Sequence, residues 1–385
     1  MKSYIKRGKM YNIKLLLENI MKSTVLFSSV KYDKYDANVT LPAKFGRMID
    51  NMDIKNIVKG KLTAVKMHLG DNLGYSTIPP LFVKILVDKL ISYGAKAYIT
   101  DHNPGGLRLS RANARGYTEE YLGVPIIPVC GYTEKYVYNK TVDFKSFKNV
   151  DIGGNIYDAE VMIDLSHVKG HGVCGYGGAC KNIAMGCVTD RTRRQIHALE
   201  GGLEWNEDLC THCNLCIESC NHNANRFDEN NRYSIFFHNC TYCQHCVKVC
   251  PVSAITMNTS KYEDFQTGMA ICTKEVLKGF SPDSVFYINF LTQITAICDC
   301  WGLTTPSLVP DIGIMASTDI VAIERASLDA IKTEDLIPQG VPQGQELKKE
   351  GHLFERLHGK NPYIQLDELE KQGLGNQVYK LEEVN

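Results

Sequence analysis

The sequence predicts an α/β protein, a largely parallel sheet covered by helices, with a second, small cysteine-rich domain inserted into it. Two observations carry that expectation. Short runs rich in Val and Ile alternate with segments of helical period, the pattern of parallel strands joined by crossover helices. Eight of the 15 cysteines fall within residues 210–250, where the alternation stops before it resumes. The length agrees, since 385 residues exceed the roughly 250–300 at which a single hydrophobic core stops growing.

In chain order, the apolar runs at 25–30, 63–69, 96–100, 124–129, 160–168, 284–291 and 311–317 read as strands, and 80–93 and 319–331 read as helices. The chain then divides into an N-terminal extension (1–22), a first part of the α/β domain (23–203), the insert (204–260), and a second part with the C-terminal segment (261–385). Ile13, Leu16, Leu17 and Ile20 share one helical face of the extension. That segment lacks the continuous apolar core and small-residue cleavage site of a secretory signal. The cytoplasm is therefore the expected location, and a start at Met21 is the alternative to a short amphipathic helix.

Composition excludes several classes. Hydrophobic residues make up 44% and charged residues 22%, unlike disordered, collagenous or coiled-coil chains. Lys plus Arg and Asp plus Glu both number 43, so no whole-protein field draws the chain to nucleic acid or an anionic membrane. Aromatic residues are not interleaved with basic ones, and no apolar run approaches the ~18 residues a membrane helix needs. Arg191, Arg193 and Arg194 read as a solvated basic linker, with phosphate binding or docking of the cysteine-rich module as the alternative.

The cysteines supply the strongest motif. Cys210, Cys213, Cys216 and Cys220 repeat 30 residues later as Cys240, Cys243, Cys246 and Cys250, each set spaced C-x2-C-x2-C-x3-C. This is the spacing of a bacterial two-cluster ferredoxin, in which three closely spaced thiolates converge on one 4Fe–4S cube and the fourth serves the other. Cluster I is expected on Cys210, Cys213, Cys216 and Cys250, and cluster II on Cys240, Cys243, Cys246 and Cys220. Paired zinc sites are the alternative, but zinc leaves the third and fourth cysteine of each copy without a purpose. Pro251 follows the second motif, whereas Asn221 and His222 follow the first, so cluster II is expected to have the more exposed or mobile loop.

A second constellation lies at the strand ends. The runs close with His68, with Asp101 and His102, and with His167, Lys169 and His171. Ligands of open α/β sheets bind beyond the carboxyl ends of strands, and imidazole binds metal or moves protons near neutral pH. His68, Asp101, His167 and His171, with Lys181 as anion anchor or proton donor, are the candidate catalytic residues; a hydrogen-bonding cap is the alternative role for each histidine. The glycines of 172–178 allow close backbone approach to a ligand or serve a tight turn, and they match neither the P-loop nor the dinucleotide fingerprint. Cys174, Cys180, Cys187, Cys298 and Cys300 leave a further metal or organic cofactor open.

Together, Val65-Lys66-Met67-His68, the run from Asp164 to His171, the Gly-Tyr-Gly-Gly-Ala-Cys stretch before Lys181-Asn182, both cysteine motifs, Cys298-Asp299-Cys300-Trp301 and residues 309–317 resemble the domain of unknown function 362 family, also called uncharacterised Fe-S centre proteins. The resemblance covers about residues 21–380. It implies the inserted two-cluster module and no particular reaction. His102 departs from the threonine-rich stretch the family tends toward after Asp101, which sets it apart from the other candidates. Three functions follow as expectations. One is an oxygen-sensitive, anaerobic iron–sulfur oxidoreductase that passes electrons from a redox partner protein through two 4Fe–4S clusters to a small-molecule substrate. The others are an electron-transfer carrier or relay subunit, and a scaffold for maturing or reductively activating another metal centre. The extent of the α/β part favours the first.

Overall fold

The computed structural model describes residues 22–71, 74–102, 107–200, 202–220, 223–236, 239–240, 245–257, 261–302, 304–343 and 345–385. The expected helical extension, Asn221 with His222, and Cys243 lie outside these residues. Strands β1 (Ser23–Ser29), β2 (Leu62–Met67), β3 (Lys96–Asp101) and β4 (Ile126–Pro128) precede a hairpin of β5 (Val137–Phe144) and β6 (Phe147–Gly153). Then come β7 (Val161–His167), the short pair β8 (Lys169–His171) and β9 (Gly175–Gly177), and β10 (Leu203–Trp205), β11 (Asn225–Phe227), β12 (Tyr233–Ile235) and β13 (Ile255–Met257) of the insert. β14 (Val285–Leu291), β15 (Gly313–Ser317) and β16 (Tyr379–Glu383) complete the chain.

Eight strands form the central sheet in the order β16-β1-β15-β14-β7-β2-β3-β4. β15 runs antiparallel to both its neighbours, and the remaining pairs are parallel. All seven runs expected as strands are present. The eighth strand, β16, was not legible, because Tyr-Lys-Leu-Glu-Glu alternates weakly and sits at the sheet edge, half exposed. The β5–β6 hairpin, rich in charged and polar residues, also escaped the apolar-run criterion.

The pleat sends alternate side chains into two cores, one on each face. On β14, Phe286, Ile288 and Phe290 enter the core formed with the Leu41–Asn51 and Pro80–Ser92 helices, while Tyr287 and Leu291 enter the core on the opposite face. Phe290 meets Phe45 and Phe82 edge-on, with ring centroids 5.4 and 5.2 Å away. The opposite face carries the Ala179–Gly186, Lys261–Leu277 and Ile320–Ala330 helices. Asp319 caps the last of these, its Oδ1 accepting from the Val321 and Ala322 amides at 2.8 and 3.0 Å.

The cysteine-rich segment is built from two copies of one unit. β10 and β12 are related by the 30-residue offset, as are β11 and β13, and as are the Leu215–Glu218 helix and the start of the His245–Val249 helix. The sheets exchange partners between copies, β10 pairing with β13 and β11 with β12. Even the turns repeat: the Asn223 amide bonds the Cys220 carbonyl and the Ser253 amide bonds that of Cys250, and both turn residues take φ 50.

Candidate functional site

A cleft of about 500 Å³ opens at the carboxyl ends of β2, β3 and β7. His68, Asp101, His167, Lys169, Lys181, Asn182, Arg193, Cys298 and Cys300 are among its walls. Of the four strand-end histidines, the sheet brings His68 and His167 into this cleft. His171 lines an adjoining cavity of about 750 Å³ with Lys181, Arg193, His197, Phe236 and Cys300. His102 is buried away from the cleft walls, its Nε2 lying 3.4 Å from Glu134 Oε1 and 3.9 Å from Asp190 Oδ1.

The floor is a buried ionic lattice. Lys66, fully excluded from solvent, pairs with Asp101 Oδ1 at 3.0 Å and donates to Asn182 Oδ1 at 2.6 Å. The other oxygen of Asp101 accepts from the Leu69 amide and faces His68 Nδ1, both at 3.1 Å. Asn182 Nδ2 in turn donates to Asp164 Oδ1 at 2.8 Å, and Ser166 Oγ donates to Asp164 Oδ2 at 2.7 Å. Burial pushes the Asp164 carboxyl up to about 8 against the opposing pull of these bonds and of Lys66.

Asp299 organises the opposite wall. Its Oδ2 accepts from Lys169 Nζ at 2.6 Å and faces His167 Nδ1 at 2.9 Å, while Ser76 Oγ donates to Oδ1 at 3.3 Å. Burial would raise this carboxyl, but the positive charge of Lys169 and the contact with His167 hold it well below the usual carboxylate range. His167 Nε2 faces the Thr292 carbonyl at 2.8 Å. Both nitrogens of that ring are thus engaged with the protein, which gives His167 the geometry of a positioning residue.

Lys181 is half buried, and burial lowers its ammonium to about 8. Its Nζ lies 3.7 Å from Cys300 Sγ. Cys300 forms a disulfide with Cys298, so the two thiols read from the sequence as possible metal ligands are joined to each other. His171 is buried, and the Val173 and Cys174 amides donate to its Nδ1 at 3.2 and 3.4 Å.

The glycine-rich stretch serves the protein's own carboxylate. Glu324 Oε1 accepts from the Cys180 amide at 2.8 Å, at the start of the Ala179–Gly186 helix. A Cβ on Gly178 would overlap Glu324 Oε2, which explains the glycine there. Burial raises the Glu324 carboxyl to about 7.

In the cysteine-rich module, Cys210, Cys213, Cys216 and Cys250 line one cavity of about 330 Å³, with Trp205, Phe227, Tyr233 and Ile255 among its walls. Four thiols drawn from both copies around one cavity fit a thiolate-ligated cluster of the crossed ferredoxin type. Among the described residues, Cys220 and Cys240 share a second small cluster with Ala224, and Cys246 packs against Cys216 and Tyr233. The repeat extends to the sulfurs: the Ala224 amide donates to Cys220 Sγ at 3.3 Å and the Ala254 amide to Cys250 Sγ at 3.2 Å.

Sequence reasoning missed Lys66, Asp299, Glu324 and Lys360. Lys66 had a signal, a lone cation within an otherwise apolar strand, and Asp299 lies between two cysteines already singled out. Lys360 had none: fully enclosed, its ammonium bonds the Gly172 and Cys240 carbonyls and so ties the module to the turn after His171.

A stretch of 50 residues is 36% identical to a ferredoxin of Pyrobaculum islandicum, covering 13% of this chain and 47% of that protein. This supports a ferredoxin-like iron–sulfur module. Among solved structures, the lactate racemase apoprotein of Thermoanaerobacterium thermosaccharolyticum aligns over 71% of this chain and 51% of its own at 12% identity, with a TM-score of 0.34. A Thermotoga maritima protein aligns over 67% and 52% at 10% identity, with a TM-score of 0.35. The chain spans about half the length of each of these three relatives. Residues 63–329, more than half of the chain, match the family described as Domain of unknown function (DUF362), and the protein belongs to that family.

Proposed function

We propose that this protein is an iron–sulfur oxidoreductase that accepts electrons from a redox partner protein and delivers them, through two 4Fe–4S clusters, to a small molecule bound in the strand-end cleft. The observation that carries this reading is the adjacency of two built sites. The module gathers Cys210, Cys213, Cys216 and Cys250 around one cavity, and Lys360 bonds both the Cys240 carbonyl and that of Gly172 in the turn after His171. Each cluster would supply one electron at a time. The chain's own residues do the rest. Lys169 and His167 fix Asp299, Lys66 fixes Asp101, and Lys181 and Arg193, the latter 3.8 Å from Asp190, line the cleft as cations. A carboxylate or phosphate group is the ligand chemistry such walls favour.

A relay subunit without its own substrate is the competing reading, and a maturation scaffold is the third. The cleft favours the enzyme, since a relay has no use for a charged pocket walled by buried ion pairs. The test begins with protein prepared without air. Iron and acid-labile sulfide analysis should each give about eight atoms per chain, and reduction should give paramagnetic cluster signals; zinc in their place would sink the proposal. Replacing Lys181 should then abolish substrate turnover while leaving iron content and the reduced-cluster spectrum unchanged. Normal transfer to every acceptor by that variant would favour the relay.

A further inference from the structure

We infer that Cys298 and Cys300 form a redox-active dithiol–disulfide couple between the module and the cleft, able to exchange with a small disulfide bound there. The inference deepens the electron-transfer reading and rests on it for its electron supply. Three observations carry it. The two cysteines are bonded to each other, and they are not equivalent: Cys298 is buried at 1% exposure, whereas Cys300 is half buried and lines both the cleft and the adjoining cavity. Both line the cleft, but Cys300 also lines the adjoining cavity and is the more accessible of the two, the division of labour expected of an attacking and a resolving thiol.

The cavity on the Cys300 side reaches Phe236, which follows β12 of the module. The pair therefore lies where electrons leaving the module would enter the α/β domain. Finally, the residue between the two cysteines is anchored from three directions, by Lys169, His167 and Ser76. The loop is held in place whether the sulfurs are joined or parted. Lys181 Nζ, 3.7 Å from Cys300 Sγ, is placed to stabilise the thiolate and to supply or take its proton.

The step balances as a two-electron reduction. The Cys298–Cys300 S–S bond accepts two electrons, one from each reduced cluster, and two protons, giving two thiols. In the reverse direction the Cys300 thiolate attacks a substrate disulfide and releases one substrate thiol. Cys298 then displaces the second and restores the bond. The same sulfurs and one His171 ring nitrogen lie within 4.8 Å of one another, a grouping that would also suit a metal ion. Redox exchange is the better account, because two backbone amides occupy the His171 Nδ1 lone pair and so leave the ring proton on Nε2.

The test uses the full chain, prepared anaerobically with its clusters, and reads thiols by alkylation and peptide mass. In a first arm, glutathione and glutathione disulfide in varied ratio should interconvert the pair, adding two alkylated cysteines at the reducing end. In a second, photoreduction of the clusters without added thiol should free the same two cysteines while the paramagnetic signal decays. In Cys300→Ser that signal should persist, with iron content unchanged as the check on folding. A pair that stays closed or stays open throughout the first arm overturns the inference whatever the clusters do. Conversion in the first arm but not the second, with iron present, overturns the proposed supply alone. A chain lacking iron overturns the electron-transfer reading as well, and the first arm tells these failures apart. One equivalent of zinc held by the reduced pair, blocking alkylation, would overturn redox exchange in favour of a metal site.

Discussion

Lys66 and Asp101, on adjacent parallel strands, face each other across 3.0 Å with the lysine wholly excluded from solvent. Removing one member of such a pair strands the other charge. Asp101→Ala should therefore destabilise the protein by about 3–5 kcal/mol, read as a lower urea midpoint. The double variant Lys66→Met/Asp101→Leu should cost clearly less than the sum of the single changes. Additive costs would show that the pair is not coupled.

Stability should fall as pH rises from about 4 toward 8. Burial lifts Asp164 to about 8 and Glu324 to about 7, so in this range the folded protein holds protons that the unfolded chain has released. Each group then contributes a slope of up to about 1.4 kcal/mol per pH unit. Urea midpoints across this range should flatten in Asp164→Asn and flatten further with Glu324→Gln. An unchanged slope would refute the assignment.

Lys181 should react with amine reagents far ahead of ordinary lysines near pH 8. With its ammonium lowered to about 8, about half is neutral there, against less than about 1% for a surface lysine. Peptide mass analysis after brief trinitrophenylation should show Lys181 labelled first. Lys360, also lowered to about 8 by burial but enclosed at 1% exposure, should stay unlabelled. Equal labelling of surface lysines and Lys181 would count against the cleft chemistry.

Gly170 is packed against the loop that carries the disulfide. A Cβ there would overlap the Ala296 carbonyl and crowd His358. Gly170→Ala should cost about 1–3 kcal/mol and change the alkylation rate of Cys300 once the Cys298–Cys300 pair is reduced, because the 296–300 backbone must shift. A variant with wild-type stability and unchanged Cys300 reactivity would show that the loop yields freely.

Much of the sheet was legible because buried parallel strands read as continuous apolar runs, and those at 63–69, 160–168 and 284–291 did so. β16 and the β5–β6 hairpin were not, since their charged residues face solvent and dilute the pattern. The strand-end rule located the cleft through His68, Asp101 and His167. It could not separate His102, which leaves the same strand end in another direction, nor foresee that Asp299, 132 positions after His167, would take hold of that ring. Partners so far apart in sequence are fixed by sheet order, which no local pattern records.

The order of strands also sets a timetable. β1 lies between β15 and β16, so it has no neighbour in the sheet until residues 313–317 have been synthesised. The whole cysteine-bearing segment is synthesised in that interval. Its thiols are therefore exposed to their surroundings while only the β2–β3–β4–β7 part of the scaffold can stand. Maturation and closure of the sheet thus run concurrently, and a chain that closes late gives its cysteines longer to meet the wrong partner.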